Sequence, residues 1–185
     1  MKKILLIGDS IRLSYCARVR ELLGGKAEVY YTEDNCRFAK YTLWCLREWM
    51  ALASPAPDIV HWNNGIWDTF RHTSGGICFT PIYEYAEYID RVYREIKDAA
   101  PAAQIIWAST TAVDDAFPVT DNATIDAYNA CAAEVLGKVG VPVDDLNAVV
   151  KADIKKYISD DLLHLSDAGI EACAVTVAEC LEKYI

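Results

Sequence analysis

The chain has 185 residues, of which 53% are hydrophobic, and a formal net charge of −9 at pH 7. This length and composition predict a single domain over residues 1–185 with one substantial core. Because the chain is acidic and its Lys and Arg residues form no cluster, we expect neither nucleic acid nor a membrane as a partner. The apolar stretches fall short of the roughly 20 residues that cross a bilayer, and the apolar run at residues 4–7 is too short for a secretory signal.

Seven cysteines are present, with no Cys-x-x-Cys spacing and one left over in any pairing. This pattern fits neither a disulfide scaffold nor a zinc site. Five of them lie in helix-like segments among apolar neighbours, where cysteine behaves as a small hydrophobe: Cys16, Cys45, Cys131, Cys173 and Cys180. We therefore expect buried thiols and a protein of the reducing cytoplasm. The oligomeric state is not predicted.

Strand-like and helix-like segments alternate along the chain. Short apolar runs bounded by turn residues predict strands at 3–7, 27–31, 58–62 and 104–108, and a short fifth strand beginning at 141–143. Helical spacing of apolar residues predicts helices at 13–23, 41–52, 81–99, 121–138 and 168–183. Five strands alternating with helices predict an α/β fold, a three-layer α/β/α sandwich with a five-stranded parallel sheet.

Polar residues follow each of the first three predicted strands. Ser10 follows the first, the Asn35 region the second, and Asn63 and Asn64 the third. Ligands of open parallel sheets bind beyond the carboxyl ends of the strands, so these clusters are expected at one edge. His164, in the loop before the last helix, can reach the same edge.

Ser10 and His164 together suggest nucleophilic catalysis. A serine hydroxyl becomes a good nucleophile when a histidine takes its proton, and a carboxylate steadies that histidine. Asp161 lies three residues before His164. Each feature alone has an ordinary structural explanation, since Asp9 or Ser10 can cap a helix and Asp161 can cap a turn. Found together at the expected edge, they favour a serine hydrolase. Nucleophilic catalysis of this kind implies no metal and no organic cofactor.

Two blocks of the sequence resemble those of the SGNH or GDSL hydrolases: Gly8-Asp9-Ser10 near the start and Asp161-Leu162-Leu163-His164 near the end. The resemblance covers nearly the whole chain and implies the flavodoxin-like SGNH hydrolase fold. It also implies that Ser10 is the nucleophile, His164 the general base and Asp161 its orienting carboxylate. Asp160 is the reserve candidate for that carboxylate.

The residues that match the family's oxyanion hole depart from its pattern. The family places a glycine N–H after the second strand, and Cys36 occupies that position here. The family's Gly-x-Asn-Asp block corresponds to residues 65–68, with Trp67 in the place of the asparagine. Asn63 and Asn64 are the available substitutes, and Asn64 is preferred because strand alternation lets only one of them face the cleft. Asn64 and Gly65 are also a common turn pair.

The resemblance implies cleavage of carboxylic esters through an acyl-serine intermediate, with short-chain acyl esters or acetylated carbohydrates as substrates. One alternative is an acyltransferase that uses the same triad. Another is a catalytically degenerate flavodoxin-like binding domain that holds an anion at the helix after Ser10. Aromatic and polar residues around the third block either line a substrate pocket or pack the loop against the body: Trp62, Trp67, Phe70, Arg71 and His72.

Overall fold

A computed structural model describes residues 1–72 and 76–185 of the protein. Its five strands form one sheet in the order β2-β1-β3-β4-β5, and every neighbouring pair is parallel. The strands are β1 (Lys2–Ile7), β2 (Ala27–Tyr31), β3 (Ile59–Trp62), β4 (Gln104–Ala108) and β5 (Val143–Asp144). The predicted five-stranded parallel sheet is confirmed.

The helices cover both faces of this sheet. They are α1 (Ser10–Leu22), α2 (Ala39–Met50), α3 (Ile66–Thr69), α4 (Ile82–Ala99), α5 (Asn122–Gly137), α6 (Leu146–Lys151), α7 (Ile154–Tyr157) and α8 (Asp167–Glu182). One apolar cluster joins the sheet to α1, α6 and α8, and a second joins it to α2, α4 and α5. The predicted three-layer α/β/α arrangement follows from these two clusters.

Strand β1 lies in the interior of the sheet, with β2 on one side and β3 on the other. Its residues 4–7 are completely buried. A strand that is covered on both faces needs apolar side chains in both directions, which explains the unbroken apolar run in the sequence. The carboxyl end of β1 therefore lies between those of β2 and β3.

Helices α1 and α2 begin two or three residues earlier than predicted, and in each a carboxylate binds a backbone N–H at the start of the helix. Helix α1 begins at Ser10, three residues earlier than predicted, because the Asp9 carboxylate accepts a hydrogen bond from the Ile11 N–H at 3.0 Å and caps the helix. Helix α2 begins at Ala39, whose N–H is bound by the carboxylate of Asp68. The short helices α3, α6 and α7 were not predicted, because four to six residues carry too little periodicity.

All seven cysteines are free thiols. Of the five cysteines expected to be buried, Cys16 and Cys173 are buried, whereas the other three are partly exposed and pack against the rim of the core: Cys45, Cys131 and Cys180. In the described part of the chain, none of the helices has the length and apolar character needed to cross a membrane.

Candidate active site

Ser10 lies at the carboxyl end of β1, at the junction between this strand and α1. It is the first residue of the helix, so its backbone N–H has no partner within the helix and points out of its positive end. Gly8 makes this tight junction possible. A Cβ atom at Gly8 would lie 1.8 Å from Oδ1 of Asn63 and 2.8 Å from Cβ of Arg12. A side chain at position 8 would therefore displace the residues that surround Ser10.

Asp161 and His164 lie in a loop that is closed by a short antiparallel pairing. Ile158 pairs with Leu165, and the Ser159 N–H donates to the His164 carbonyl at 2.8 Å. Inside the loop, Oδ1 of Asp161 accepts hydrogen bonds from the N–H groups of Leu163 and His164 at 2.9 and 2.8 Å. These bonds hold the Asp161 carboxylate beside the ring of His164.

Ser10, His164 and Asp161 form one line of contacts. Nε2 of His164 lies 3.0 Å from Oγ of Ser10, and Nδ1 of the same ring lies 2.6 Å from Oδ2 of Asp161. The side chains of His164 and Asp161 are 42% and 53% exposed. The structure thus brings together the three residues that were predicted to meet. Asp160, the reserve candidate, is exposed, and Asp161 is the carboxylate that contacts His164.

The pKa values of two carboxyl groups at the site, Asp161 and Asp9, are shifted in opposite directions. Partial burial acts to raise the pKa of Asp161, but its hydrogen bonds from His164, Leu163 and Ser159 outweigh burial and lower this pKa well below its ordinary value. Asp161 is therefore ionised at neutral pH. Complete burial raises the pKa of Asp9, against hydrogen bonds from Ile11 and Asn63.

The structure reverses the sequence-based preference for Asn64 over Asn63. The amide nitrogen of Asn64 donates to the Arg37 carbonyl at 3.1 Å and to Oγ1 of Thr42 at 2.8 Å, and its oxygen accepts from Nε1 of Trp62 at 2.7 Å. Both N–H groups of this amide are therefore occupied. They bind the loop before α2 and helix α2 itself, so the Asn64 amide has no N–H left for a group bound at Ser10.

Asn63 lies on the other side of the same turn, beside Gly8 and Asp9. Its amide nitrogen donates to Oδ2 of Asp9 at 3.2 Å, and a primary amide nitrogen carries a second N–H. Its Oδ1 is buried without a hydrogen-bond partner among the described residues. Asn63 is therefore the asparagine that lies next to the residues flanking Ser10.

Cys36 does not supply the free backbone donor that was expected from the sequence. Its N–H donates to the Gly8 carbonyl at 3.1 Å, and its Sγ accepts from the Gly8 N–H at 3.3 Å. The side chain is completely buried, and burial raises the pKa of its thiol to about 12. Cys36 thus joins the loop after β2 to the loop after β1, and its N–H is occupied by that role.

The sequence matches a known family over most of its length. The family model of the GDSL-like lipases and acylhydrolases matches residues 6–172, which include Ser10, Asp161 and His164. The chain belongs to the GDSL-like lipase/acylhydrolase family. As a member of this family it is a carboxylic ester hydrolase. No curated protein matched the sequence.

Solved structures share the fold of this GDSL-like acylhydrolase at low sequence identity. A lipase/acylhydrolase from Enterococcus faecalis has a TM-score of 0.83 and 19% identity, over 99% of this chain and 96% of its own. The acetyl xylan esterase AlAXEase has a TM-score of 0.79 and 16% identity, over 97% and 99%. Axe2, an acetylxylan esterase from Geobacillus stearothermophilus, has a TM-score of 0.77 and 19% identity, over 96% and 93%. These likenesses show the fold.

Arg12 is a buried residue of this GDSL-like site that the sequence analysis missed. Its guanidinium donates to the carbonyls of Gly8 at 2.9 Å, Asp34 at 2.8 Å and Thr32 at 2.6 Å. The side chain is completely buried although it is charged. Arg12 thus ties the loop that carries Ser10 to the loop after β2. Nothing in the sequence marked it, because an arginine in a surface helix is ordinarily exposed.

The aromatic residues near the third block mostly pack the loop, which is one of the two roles considered from the sequence. Trp62 is fully buried in the core, and Phe70 is buried in a small separate cluster that the half-buried Trp67 also contacts. Arg71 forms an ion pair with Asp121 at 2.9 Å. His72 is exposed, and its ring forms a T-shaped pair with that of Phe70. Within residues 1–72 and 76–185, His, Cys, Asp and Glu side chains form no group of three suited to a metal ion.

Proposed function

We propose that this GDSL-like acylhydrolase is a serine esterase whose catalytic residues are Ser10, His164 and Asp161. The observation that carries the proposal is the unbroken line of contacts from Oγ of Ser10 to Nε2 of His164 at 3.0 Å and from Nδ1 to Asp161 at 2.6 Å. These distances fall within the reach of a nucleophile and its base.

The proposed reaction has two steps. Ionised Asp161 accepts a hydrogen bond from the Nδ1–H of His164 and keeps the ring in the form whose Nε2 is unprotonated, so that Nε2 can take the proton of Ser10. Oγ of Ser10 attacks the ester carbonyl carbon, and the proton on Nε2 then passes to the departing alcohol, leaving an acyl-serine. Water attacks this acyl group, His164 takes a proton from the water, and the carboxylic acid leaves as Ser10 recovers its proton.

Two donors near Ser10 are suited to the negative oxygen of the tetrahedral intermediate. The first is the Ser10 N–H, at the positive end of α1. The second is the remaining N–H of the Asn63 amide, whose nitrogen is fixed by Asp9 at 3.2 Å. One such donor contributes about 3 kcal/mol to acyl transfer, so two donors make a competent oxyanion hole.

Short acyl esters, including acetyl groups on carbohydrates, are the proposed substrates. Two of the similar solved structures are named acetyl xylan esterases, and they cover nearly the whole of this chain. The side chains of His164 and Asp161 are about half exposed, which supports a site at the protein surface that an acetyl group on a large sugar chain can reach.

Fluorophosphonate labelling tests the catalytic serine, because this probe reacts with activated serine hydroxyls. We expect peptide mass spectrometry to find the label on Ser10 and to lose it in Ser10→Ala and His164→Ala. Ser14→Ala is the matched control, since Ser14 lies in the same helix and its hydroxyl donates to the Ile11 carbonyl at 2.6 Å. A label on another residue, or no label on the folded wild-type protein, would contradict the proposed site.

Hydrolysis assays test the substrate class. Acetate release from acetylated xylo-oligosaccharides and turnover of 4-nitrophenyl acetate should greatly exceed turnover of the long-chain dodecanoate ester. Product analysis with an added alcohol tests for acyl transfer: free acid as the main product supports the esterase, and a new ester as the main product identifies an acyltransferase.

A further inference from the structure

A surface cavity of about 490 Å³ lies between the amino-terminal halves of α2 and α4. Five aromatic rings line it: Phe38, Tyr41, Trp44, Phe79 and Tyr88. We call this cavity the aromatic cleft. Its volume is within the range of pockets that bind small molecules, and its lining is mostly apolar, as in such pockets.

Two of these rings are exposed to solvent. The side chain of Trp44 is 86% exposed and that of Phe79 is 55% exposed. Phe79 packs against Phe38 with ring centroids 4.9 Å apart, so the two rings support each other at one wall of the cleft. Exposed aromatic rings grouped around a cavity are typical of a binding surface, because aromatic side chains that stay in water contribute little to the stability of the fold.

The polar groups of the aromatic cleft favour a neutral ligand. Lys40 and Glu84 line the cleft with opposite charges, so their formal charges cancel. Thr80 also lines it, and the Tyr41 hydroxyl donates to Asp34 at 2.9 Å, which fixes the orientation of that ring. Flat apolar rings together with hydrogen-bonding groups and no net charge match a sugar chain, whose rings have apolar C–H faces and hydroxyl edges.

The aromatic cleft and the proposed catalytic site are connected through the loop after β2. Cys36 in this loop is bonded to Gly8, two residues from Ser10, and Phe38 in the same loop lines the cleft. Helices α2 and α4 both begin at the sheet edge where Ser10 lies, since each follows the carboxyl end of a parallel strand. One loop thus binds the strand–helix junction that carries Ser10 through Cys36 and lines the cleft through Phe38.

We propose that the aromatic cleft binds the neutral sugar chain of an acetylated oligosaccharide while an acetyl group on that chain lies at Ser10. The inference rests on the proposed esterase function for its substrate. The rings of Trp44 and Phe79 stack on sugar units, and Lys40 and Glu84 bind their hydroxyl groups.

Calorimetry with unacetylated xylohexaose tests the sugar site without any reaction. Wild-type protein should bind this oligosaccharide, and Trp44→Ala should weaken binding by about tenfold or more, the loss of roughly one stacking contact. Tyr83→Ala is the matched control, because Tyr83 is a 72% exposed aromatic residue of α4 that does not line the cleft. It should bind xylohexaose as the wild type does.

Kinetics provide the second measurement. Trp44→Ala should lower the ratio of kcat/KM for an acetylated xylo-oligosaccharide to kcat/KM for 4-nitrophenyl acetate, mainly through a higher KM for the oligosaccharide. If the protein turns over neither ester but still binds xylohexaose, the esterase proposal is contradicted and the sugar site is supported. Three results would overturn the sugar site. The first is ester turnover without xylohexaose binding, and the second is equal weakening of xylohexaose binding by Trp44→Ala and Tyr83→Ala. The third is a wild-type dimer, detected by sedimentation, that Trp44→Ala dissociates.

Discussion

Two histidine–aspartate pairs of similar geometry lie in very different parts of this molecule. Nδ1 of His164 is 2.6 Å from Asp161, and Nε2 of His61 is 2.9 Å from Asp144. The first pair belongs to one exposed loop. The second joins β3 to β5 across β4, and its side chains are 0% and 4% exposed. The same two functional groups are thus used once at the surface and once inside the protein.

The two pairs differ in the surroundings of the histidine ring nitrogen that does not contact the aspartate. Nε2 of His164 faces the hydroxyl of Ser10, whereas Nδ1 of His61 is buried and has no hydrogen-bond partner in the described ranges. A carboxylate orients the ring in both pairs, but only His164 has a group whose proton it can accept and a route to solvent. A histidine–aspartate pair therefore indicates catalysis only when a nucleophile and an opening accompany it.

The largest effect on activity is expected when the histidine of the exposed pair, His164, is replaced. His164→Ala should lower kcat/KM for 4-nitrophenyl acetate by about 100,000-fold, because Ser10 loses its base. The unfolding midpoint in urea should stay close to that of the wild type, since the ring is half-exposed. A rate loss below tenfold would refute the role of His164 as the base.

Asp161→Asn should lower the same rate constant by about 10,000-fold. The neutral amide cannot stabilise the charged imidazole ring, and its NH2 group can donate to Nδ1, which moves the ring proton to the nitrogen facing Ser10. Asp160→Asn is the matched control and should retain wild-type kinetics. An equal loss in both variants would show that the loop, and not the Asp161 carboxylate, is responsible.

Breaking the buried His61–Asp144 pair should reduce the stability of the protein and leave catalysis nearly unchanged. His61→Ala should lower the free energy of unfolding by about 3 to 5 kcal/mol, because the Asp144 carboxylate remains buried without its partner. Urea denaturation measures this loss, and kcat of the folded fraction should stay within a few-fold of the wild type. A stable but inactive His61→Ala variant would mean that the buried pair contributes to the reaction.

The adjacent asparagines repeat this comparison on a smaller scale. Asn63→Ala should reduce kcat about 100-fold with little change in KM, because an oxyanion donor acts mainly in the transition state. Asn64→Ala should chiefly reduce stability, since three hydrogen bonds of this buried amide are lost. If Asn64→Ala, at full stability, loses more kcat than Asn63→Ala, the proposed assignment is reversed.

Asp68 sharpens the comparison because it is buried like Asp144, but within the described residues its carboxyl group is hydrogen-bonded by Ala39 and Thr80 and by no histidine. Burial raises the pKa of Asp68 to about 7, against hydrogen bonds from Thr80 and Ala39. A carboxyl group with a raised pKa in the folded state binds its proton more tightly there than in the unfolded chain. Its stabilisation is therefore complete below about pH 4 and is lost as the pH rises through about 7.

Unfolding free energies at about pH 5 and about pH 8 test this dependence. Asp68→Asn keeps an oxygen that can accept from the Ala39 N–H, and it should show a smaller loss between the two pH values than the wild type. Parallel declines in the two proteins would show that Asp68 titrates at its ordinary pKa.

The proposed catalytic residues could be recognised as candidates in the sequence because local patterns carry them. Ser10 follows an apolar strand directly, and Asp161 and His164 are three residues apart in one loop. The choice between Asn63 and Asn64 was not predictable in this way. Strand β3 ends at Trp62, so the alternation of side chains no longer applies beyond it, and the direction of each amide depends on distant partners: Asp9 for one, Arg37 and Thr42 for the other.

By itself, the sequence determined the alternation of strands and helices and the chemical groups at the strand ends, because apolar periodicity and short spacings are local properties. Only the tertiary structure decided which groups are buried and which are accessible. His61 and Asp144 are 83 residues apart, and their contact exists because β3 and β5 flank β4. The aromatic cleft likewise exists because α2 and α4 pack side by side, and no local pattern records such a long-range contact.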